Sequence, residues 1–463
     1  MRIERSPSPS QVGFALGRRQ FVIGAAAAAL LAACGDDDAD DASGATTGDT
    51  TGGTTAGTSA ATTPAAGDTT PAAGDAGDVG NVTFGSNQSD EKPKAALAAA
   101  IAATGIDVTI NTVDHNTFQE NFNTYIQQPD DVMTWFAGYR MRAFATKGVV
   151  GDISDVWADL PDMSEGFKNA STGLDGKQYF VPFSYYPWAV HYRQSLFDEN
   201  GYEIPATWDE FKALCDQMVT DGIIPLAAAN DGGWPQMGMF DMLNLRINGY
   251  DFHISLMGGK ESWTDDRVTD IFTHWSEITD HYQPDVNGRT WQDAATALGN
   301  KEVGMFLLGT FVAQNFDAAT QQDILDDITF FPFPEINPEH AQLAVEAPID
   351  GFMMAASPQN EVGAKALLTG LGQADAIDAY LEIDPSVVAA NSMANTSAYN
   401  ALQQKSLEMV GSATYIAQFL DRDTEPDFAA QVVGKAIADF LAGQAVDGIL
   451  ATVEEQKQTY TFE

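Results

Sequence analysis

The chain has 463 residues, with 65 acidic against 23 basic side chains and a formal net charge of −42 at pH 7. A charge this negative repels phosphate, so nucleic-acid binding is excluded as a function. The chain contains two cysteines. Cys215 follows Phe211 by four residues on the apolar stripe of a predicted helix, which indicates a buried thiol rather than a catalytic one. Cys34 ends an N-terminal leader, so no intramolecular disulfide is expected.

The leader, GRRQFVIGAAAAALLAAC at residues 17–34, is typical of an export signal. Its apolar run, residues 21–33, is shorter than the roughly 20 residues that span a bilayer. Arg18 and Arg19 directly before this run are typical of twin-arginine export, with a general secretory signal as the alternative. The run ends in a lipobox-like LAAC, in which Cys34 would receive the lipid; a chance cysteine is the alternative. Residues 1–33 are therefore predicted to be an export signal and Cys34 the lipidation site.

Residues 34–80 consist almost entirely of Gly, Asp, Thr, Ala, Ser and Pro. Such a segment buries too little apolar surface to offset the entropy lost on ordering. We expect a flexible acidic tether that holds a folded body off a membrane. The lipid anchor at Cys34 would place the protein outside the cytoplasm, on the outer face of the cytoplasmic membrane.

The folded part begins with alternating strands and helices. Apolar and β-branched runs predict strands at 81–84, 106–113 and 131–135, and helical periodicity predicts helices near 92–103, 115–127 and 139–147. This alternation predicts an α/β fold built on a parallel, doubly wound sheet. At about 380 residues the folded part exceeds what one core organises, so two lobes are expected.

The order of elements then changes. An aromatic extended stretch covers 181–192, and Thr207 with Glu210 predicts a capping box at the start of the next helix. Ser357 and Pro358 are predicted as the N-cap and first residue of a later helix. Further predicted elements are helices near 235–247, 266–280 and 291–299, strands at 303–308 and 328–333, an extended stretch at 347–357, and mostly helix in the last hundred residues.

Four stretches together resemble the family 1 extracellular solute-binding proteins, the sugar-binding components of bacterial ABC importers. They are DVMTWFAGYRMRAFATKGVVGDISDVW (131–157), GKQYFVPFSYYPWAVHYRQSLFDENGYEIPATWDEF (176–211), VGMFLLGTFVAQNF (303–316) and IDGFMMAASPQNEVGAKALL (349–368). The resemblance implies two α/β lobes, each a central sheet flanked by helices, joined by crossing strands that act as a hinge. Lobe 1 would comprise 81–183 plus 353–405, and lobe 2 would comprise 187–346 plus 406–463. It also implies a protein that binds a carbohydrate and delivers it to the transmembrane subunits of a permease. We expect a monomer without a cofactor, and because the six histidines show no metal-ligand spacing, no metal site is expected.

A sugar offers C–H faces to aromatic rings and hydroxyl groups to polar side chains, so both should meet at strand ends that face the cleft. Trp135 ends a predicted strand and is followed by Tyr139 and Arg140 in a loop that resembles the family's ligand loop. Asn87 and Gln88 follow the first strand, and His115 follows the second. Core packing for Trp135 and helix capping by neighbouring residues are the alternatives. Removal of the Trp135 side chain is expected to weaken binding without unfolding the chain.

The remaining candidates come from the hinge and the second lobe. Tyr186 and Trp188 share one face of an extended run at the hinge, and Asp350 lies on the second crossing. The alternatives for Arg422 are a bidentate contact to vicinal hydroxyls and pairing with acidic neighbours. Three more candidates occupy loops or strand ends of the second lobe: Asn230, Trp234 and Phe311.

Two other classes of function stay open. A secreted carbohydrate-active enzyme would need two carboxylates, and pairs of these arise by chance in so acidic a chain. The sequence contains no G-x-S-x-G, H-E-x-x-H, P-loop or G-x-G-x-x-G motif, so no catalytic residue is predicted. A binding protein for a polyamine, peptide or other solute is the closer alternative, since an acidic lining suits a cation.

Overall fold

A computed structural model describes residues 79–160 and 162–462. The predicted export signal, the lipidation site at Cys34 and nearly all of the predicted tether lie outside these residues and stay predictions. The strands are β1 Val82–Ser86, β2 Val108–Thr112, β3 Val132–Phe136, β4 Val181–Tyr185, β5 Trp188–Arg193, β6 Ile224–Ala227, β7 Val303–Gly309, β8 Ile328–Phe331, β9 Ala344–Glu346, β10 Ile349–Met354, β11 Val388–Ala389 and β12 Tyr415–Ala417.

The helices of the first half are α1 Glu91–Ala103, α2 His115–Glu120, α3 Phe122–Tyr125, α4 Tyr139–Thr146, α5 Glu165–Ala170, α6 Gln194–Asn200, α7 Trp208–Thr220 and α8 Met237–Ile247. Those of the second half are α9 Gly249–Met257, α10 Asp266–Ser276, α11 Trp291–Gly299, α12 Ala318–Asp327, α13 Glu361–Leu371, α14 Ala374–Leu381, α15 Ala401–Ser412, α16 Leu420–Asp423, α17 Pro426–Phe428, α18 Gly434–Leu441 and α19 Val446–Lys457. Shorter 3₁₀ turns include Val156–Asp159 and Thr310–Asn315, and a π-helical turn covers Ala429–Val433.

The larger sheet has six strands in the order β11-β4-β10-β3-β1-β2. Strand β1 pairs in parallel with β2 and β3, as the alternation of elements predicts. The expectation of an all-parallel sheet is wrong, because β10 runs antiparallel to both β3 and β4, and β11 runs antiparallel to β4. These two strands enter the sheet from distant parts of the chain, whereas local alternation reports only neighbouring elements.

The smaller main sheet has four strands in the order β6-β7-β5-β8, and β9 forms a separate parallel pair with β12. Consecutive strands β4 and β5 belong to different main sheets, so the chain crosses between the sheets within the two residues that separate them. A second crossing precedes β10. Mixed sheets flanked by helices confirm the predicted α/β class, and the two crossings bring the edges of both sheets to one cleft.

Several residues of the helices near the four-stranded sheet are buried. Cys215 is fully buried, as its helical spacing predicts, and Trp275 and Trp208 are also buried. Burial raises the pKa of the Cys215 thiol to about 12, which leaves it unreactive. The capping box of α7 is confirmed, since Thr207 accepts from the backbone N–H of Glu210 while the Glu210 side chain accepts from that of Thr207.

The predicted start of α13 is wrong. The helix begins at Glu361, and Asn360 rather than Ser357 is its N-cap, with its side chain accepting from the Gly363 N–H at 2.9 Å. Asn360 also donates to the carbonyl oxygens of Val79 and Asn81, which ties the helix start to the strand β1 edge.

In the described ranges, no helix combines the length and apolar character that a membrane crossing requires.

Candidate functional site

An open cleft with a free volume of about 1360 Å³, solvent at its mouth included, lies where segments from both main sheets meet. Residues at the ends of β1, β2 and β3 line one side, and residues that follow β6 and β7 line the other. The crossing between β4 and β5 and the start of β10 form its floor. Ten of the thirteen predicted contact residues line this cleft: Asn87, Gln88, His115, Trp135, Tyr186, Trp188, Trp234, Phe311, Asp350 and Arg422.

The first side of the cleft, which we call the polar wall, is formed by residues 87–90 and 114–119. Asn87 is fixed by its backbone N–H, which donates to Thr134 Oγ1 at 3.0 Å. His115 lies 3.4 Å from the Asn87 amide and 2.6 Å from the Gln119 amide. Burial, reinforced by the nearby Arg422, lowers the pKa of His115 to about 4, so its imidazole is neutral at pH 7. The polar wall therefore contains amides, which bind hydroxyls, and a neutral imidazole whose two ring nitrogens already lie within hydrogen-bond distance of Asn87 and Gln119.

The opposite side, which we call the aromatic wall, is centred on Phe311 in the turn Thr310–Asn315 after β7. The rings of Trp291 and Tyr186 meet Phe311 edge-on, with centroids 5.3 and 5.1 Å away, and Trp234 lies 6.1 Å away. Gly309 permits this arrangement, because a Cβ there would lie 2.4 Å from the Phe311 ring. The wall presents apolar ring surface opposite the polar wall, a pairing that suits a ligand with C–H faces and a hydroxyl rim.

The floor of the cleft contains an ion pair between a buried arginine and a partly exposed aspartate. The Arg422 guanidinium lies 2.9 Å from Asp350 Oδ1, donates to the Tyr186 hydroxyl at 3.0 Å and covers the Phe136 ring at 4.0 Å. Burial raises the pKa of Asp350, although Arg422 opposes the rise. Of the two alternatives for Arg422, its contacts are those of a residue paired with acidic neighbours, the second being Asp421 at 3.9 Å.

Trp135 and Trp188 back the cleft rather than expose their ring faces to it, since each is only 1 % exposed. Trp135 stacks on Phe122 with ring centroids 3.6 Å apart, and the Arg140 guanidinium covers its ring at 5.1 Å. Within the described ranges neither indole N–H has a hydrogen-bond partner. Removing the Trp135 side chain would open a void in this packing, so the expectation of unchanged folding is replaced by one of destabilisation.

Tyr139 and Arg140 do not line the cleft, although both lie in the predicted ligand loop. Arg140 is buried behind the polar wall, where it donates to Gln119 Oε1 at 2.6 Å and to Asp421 Oδ2 at 2.9 Å. The Tyr139 hydroxyl donates to the Thr461 carbonyl at 3.4 Å. The loop turns into α4 directly after Gly138, which carries both side chains away from the cleft.

Asn230 also lies outside the lining, next to Asp231, which belongs to it. Its amide donates to Asn287 Oδ1 at 3.0 Å and its oxygen accepts from the Gln236 N–H at 3.4 Å. Asn230 therefore shapes the loop that presents Asp231 and Trp234.

Sequence reasoning missed several lining residues. Trp291 and Gln292 lie in the first turn of α11, whose N-cap Thr290 accepts from the Asp293 N–H at 3.1 Å. This cap was a readable signal for a helix start, but nothing local places that start at the cleft. Further lining residues that were missed include Asp90, Asp114, Gln119, Thr134, Gln314, Phe419 and Asp421.

Two side chains, Lys92 and Gln292, make hydrogen bonds between the two sides of the cleft. Lys92, in the first turn of α1, donates to the carbonyl oxygens of Ala313, at 3.3 Å, and Phe316. Gln292 donates to Asp90 Oδ2 at 3.3 Å. One turn that follows β1 thus holds both segments that carry the aromatic wall. In the part of the chain that the structure describes, no group of His, Cys, Asp and Glu side chains is arranged to hold a metal ion.

The model of the family described as bacterial extracellular solute-binding protein matches residues 85–378, more than half of the chain, and the chain belongs to this family. Among curated relatives, the uncharacterised ABC transporter extracellular-binding protein PH1214 of Pyrococcus horikoshii is 21 % identical over 266 residues, 56 % of this chain and 58 % of the relative. The osmoprotective compounds-binding protein GgtB of Synechocystis is 26 % identical over 273 residues, 55 % and 63 % of the two chains. These matches span less than two thirds of either relative.

The solved structure of the bacterial solute receptor AcbH is 44 % identical, with a TM-score of 0.80, and covers 83 % of this chain and 99 % of its own. AcbH is described as having an exclusive preference for β-D-galactopyranose. A chitin oligosaccharide binding protein matches at 19 % identity and a TM-score of 0.74, covering 83 % of this chain and 99 % of its own, and shows likeness of fold alone. The two-lobe solute-binding fold and the family resemblance are therefore confirmed.

Proposed function

We propose that the chain is the substrate-binding component of an ABC importer and captures a carbohydrate in the cleft between the polar wall and the aromatic wall. The observation that carries this proposal is that one cleft is lined both by Trp291 and Phe311, whose rings are in contact, and by Asn87, Gln88 and His115. It receives support from the 44 % identity to AcbH, which makes β-D-galactopyranose the first ligand to test.

In the proposed complex, one pyranose ring lies with its C–H face toward Phe311 and Trp291. Its hydroxyl rim meets the amides of Asn87 and Gln88 and the carboxylate of Asp350. Gln88 favours this arrangement, because its Oε1 has no hydrogen-bond partner among the described residues. Asp350 pairs with Arg422 through Oδ1, and its side chain is 28 % exposed. Each is an acceptor that a sugar hydroxyl would satisfy.

Transport would follow from capture and closure. The predicted lobes, 81–183 plus 353–405 and 187–346 plus 406–463, rotate about the crossings at residues 183–187 and 348–352 and enclose the sugar. The closed form then docks on the transmembrane subunits of a permease. We also propose that the protein is a monomer, held on the outer face of the cytoplasmic membrane by a lipid at Cys34.

A thermal-shift screen tests the proposal, because a ligand that binds only the folded chain raises the melting temperature. The screen compares D-galactose and other neutral sugars with spermidine, a mixed tripeptide and buffer alone. A concentration-dependent rise with a neutral sugar supports the proposal, and a rise with spermidine or the tripeptide alone replaces it with another solute. Incubation with oligosaccharides reports on the enzyme alternative, since turnover would contradict a pure binding role.

A further inference from the structure

The cleft lining contains more acidic than basic side chains. Five aspartates belong to the lining, Asp90, Asp114, Asp231, Asp350 and Asp421, whereas Arg422 is the single arginine or lysine there within the described residues. Lining charge matters for ligand choice because a desolvated like charge is costly and a matched one is favourable. The question is whether any positive charge in or near the cleft is free to receive an anionic ligand.

The two arginines near the cleft are both matched by carboxylates. Arg422 pairs with Asp350 at 2.9 Å, and Arg140 pairs with Asp421 at 2.9 Å from behind the polar wall. Arg422 also donates a hydrogen bond to the Tyr186 hydroxyl. A ligand carboxylate that displaced Asp350 or Asp421 from its guanidinium would leave that aspartate without its ion-pair partner.

The other groups near the cleft that could carry positive charge are either neutral or paired with acceptors of the chain. His115 is neutral at pH 7 because burial lowers its pKa to about 4. Lys92 donates to two backbone carbonyl oxygens at the mouth. The N-terminus of α2 is capped by Asp114, which accepts from the Thr117 N–H at 3.0 Å. The positive end of α2 is therefore occupied by the chain's own carboxylate.

Three carboxylates remain without an ion-pair partner among residues 79–160 and 162–462: Asp90, Asp114 and Asp231. All three are exposed, so their charges act on the cleft through solvent and are partly screened by salt. They nevertheless give the cleft a surplus of negative charge on both the polar wall and the loop before α8.

We propose that the cleft selects uncharged sugars and rejects uronic acids and sugar phosphates, through the unmatched carboxylates of Asp90, Asp114 and Asp231 and the absence of a free cation in the described lining. This inference rests on the proposed function and refines it, because it names the charge class of the carbohydrate. It does not depend on which hydroxyl pattern the cleft prefers.

The test is a calorimetric titration with three sugars of matched ring geometry: D-galactose, D-galacturonate and the methyl ester of galacturonic acid. The ester retains the bulk of the oxidised C6 group and removes its charge. We expect galacturonate to bind about 50-fold or more weakly than galactose, and the ester to recover most of that loss. Galacturonate binding within about threefold of galactose would overturn the proposal. Equal failure of galacturonate and the ester would also overturn it, since shape rather than charge would then exclude them.

The variant Asp231→Asn removes one unmatched carboxylate and should narrow the gap between galactose and galacturonate by about threefold. Asp447→Asn, on the exposed first turn of α19 outside the cleft lining, is the matched control and should leave the gap unchanged. An unchanged gap in Asp231→Asn would count against the charge mechanism. If wild-type protein binds neither galactose nor another neutral sugar, the proposed function fails, which is a different result from loss of charge selection.

Discussion

Replacing Asp423 by asparagine should make the stability of the protein less dependent on pH. Asp423 ends α16, the short helix that carries Asp421 and Arg422 into the cleft. Burial raises its pKa from the usual 3.8 to about 7. Its Oδ2 accepts from the Gln418 N–H at 2.9 Å and lies 3.9 Å from the Nε2 of His253, whose pKa burial lowers to about 3. No cation that is charged at neutral pH touches this carboxyl in the part of the chain described.

The direction in which the free energy of unfolding changes with pH follows from proton binding. Between pH 4 and pH 7 the folded chain retains the Asp423 proton that the unfolded chain has released, so the free energy of unfolding falls as pH rises. At 1.36 kcal/mol per pH unit, the two units from pH 5 to the folded pKa correspond to roughly 3 kcal/mol. Asp241 and Glu346, whose pKa values burial also raises, contribute in the same direction.

Urea unfolding of wild type and Asp423→Asn, measured at about pH 5 and about pH 8, tests this reasoning. Asparagine preserves the acceptor for Gln418 and removes the titration. We expect wild type to lose more stability than the variant between the two pH values, by up to about 3 kcal/mol. The comparison with wild type removes the general effect of the chain's negative charge. A wild-type profile that is flat, or a variant that loses as much as wild type, would refute the raised pKa.

Three further substitutions separate packing, binding and kinetics. Trp135→Ala should lower the free energy of unfolding by about 3–5 kcal/mol in urea, because a fully packed ring is removed; a loss under about 1 kcal/mol would contradict its place in the core. Trp291→Ala should weaken sugar binding by about 1–3 kcal/mol in calorimetry while changing stability little, since the ring is only partly buried; unchanged affinity would remove it from the site. Lys92→Met should speed sugar release several-fold in stopped-flow fluorescence, because the variant loses the hydrogen bonds that cross the mouth of the cleft. Lys94→Met, on the exposed face of α1, is the control and should leave the release rate unchanged. Equal release rates in the two variants would count against a role of Lys92 in holding the cleft closed.

Local sequence patterns predicted the elements that local forces determine. Buried β-branched and aromatic runs indicated β1, β3 and β7, and the Thr207–Glu210 pair indicated the start of α7. Resemblance to the family implies crossings at residues 183–187 and 348–352, and the chain passes between the two main sheets after β4 and again before β10. The lobe boundaries themselves stay a prediction.

Other features depend on contacts between residues far apart in the chain. The pairing of Arg422 with Asp350 joins residues 72 positions apart in sequence, which no local pattern reports. Trp291 has the local signal of a capped helix start, but its place beside Phe311 follows from the packing of α11 against β7. The Asn360 cap replaced the expected Ser357 cap because Asn360 also binds the backbone before β1.

For Trp135, Tyr139 and Arg140, the sequence motif did not determine where the side chain lies. All three lie in or beside the predicted ligand loop, yet Trp135 packs its ring against Phe122 and the other two side chains turn away from the cleft. A strand-end aromatic residue satisfies the same pattern whether it faces the core or the ligand. Only the position of α4 after Gly138 decides between these two outcomes.

A crystal structure of the protein grown with β-D-galactopyranose tests the central claim most directly. The account predicts one sugar ring between the aromatic wall and the polar wall, with its C–H face toward Phe311 and Trp291 and hydroxyls within hydrogen-bond distance of Asn87, Gln88 or Asp350. A sugar bound outside the cleft, or held there with no contact to either wall, would contradict it.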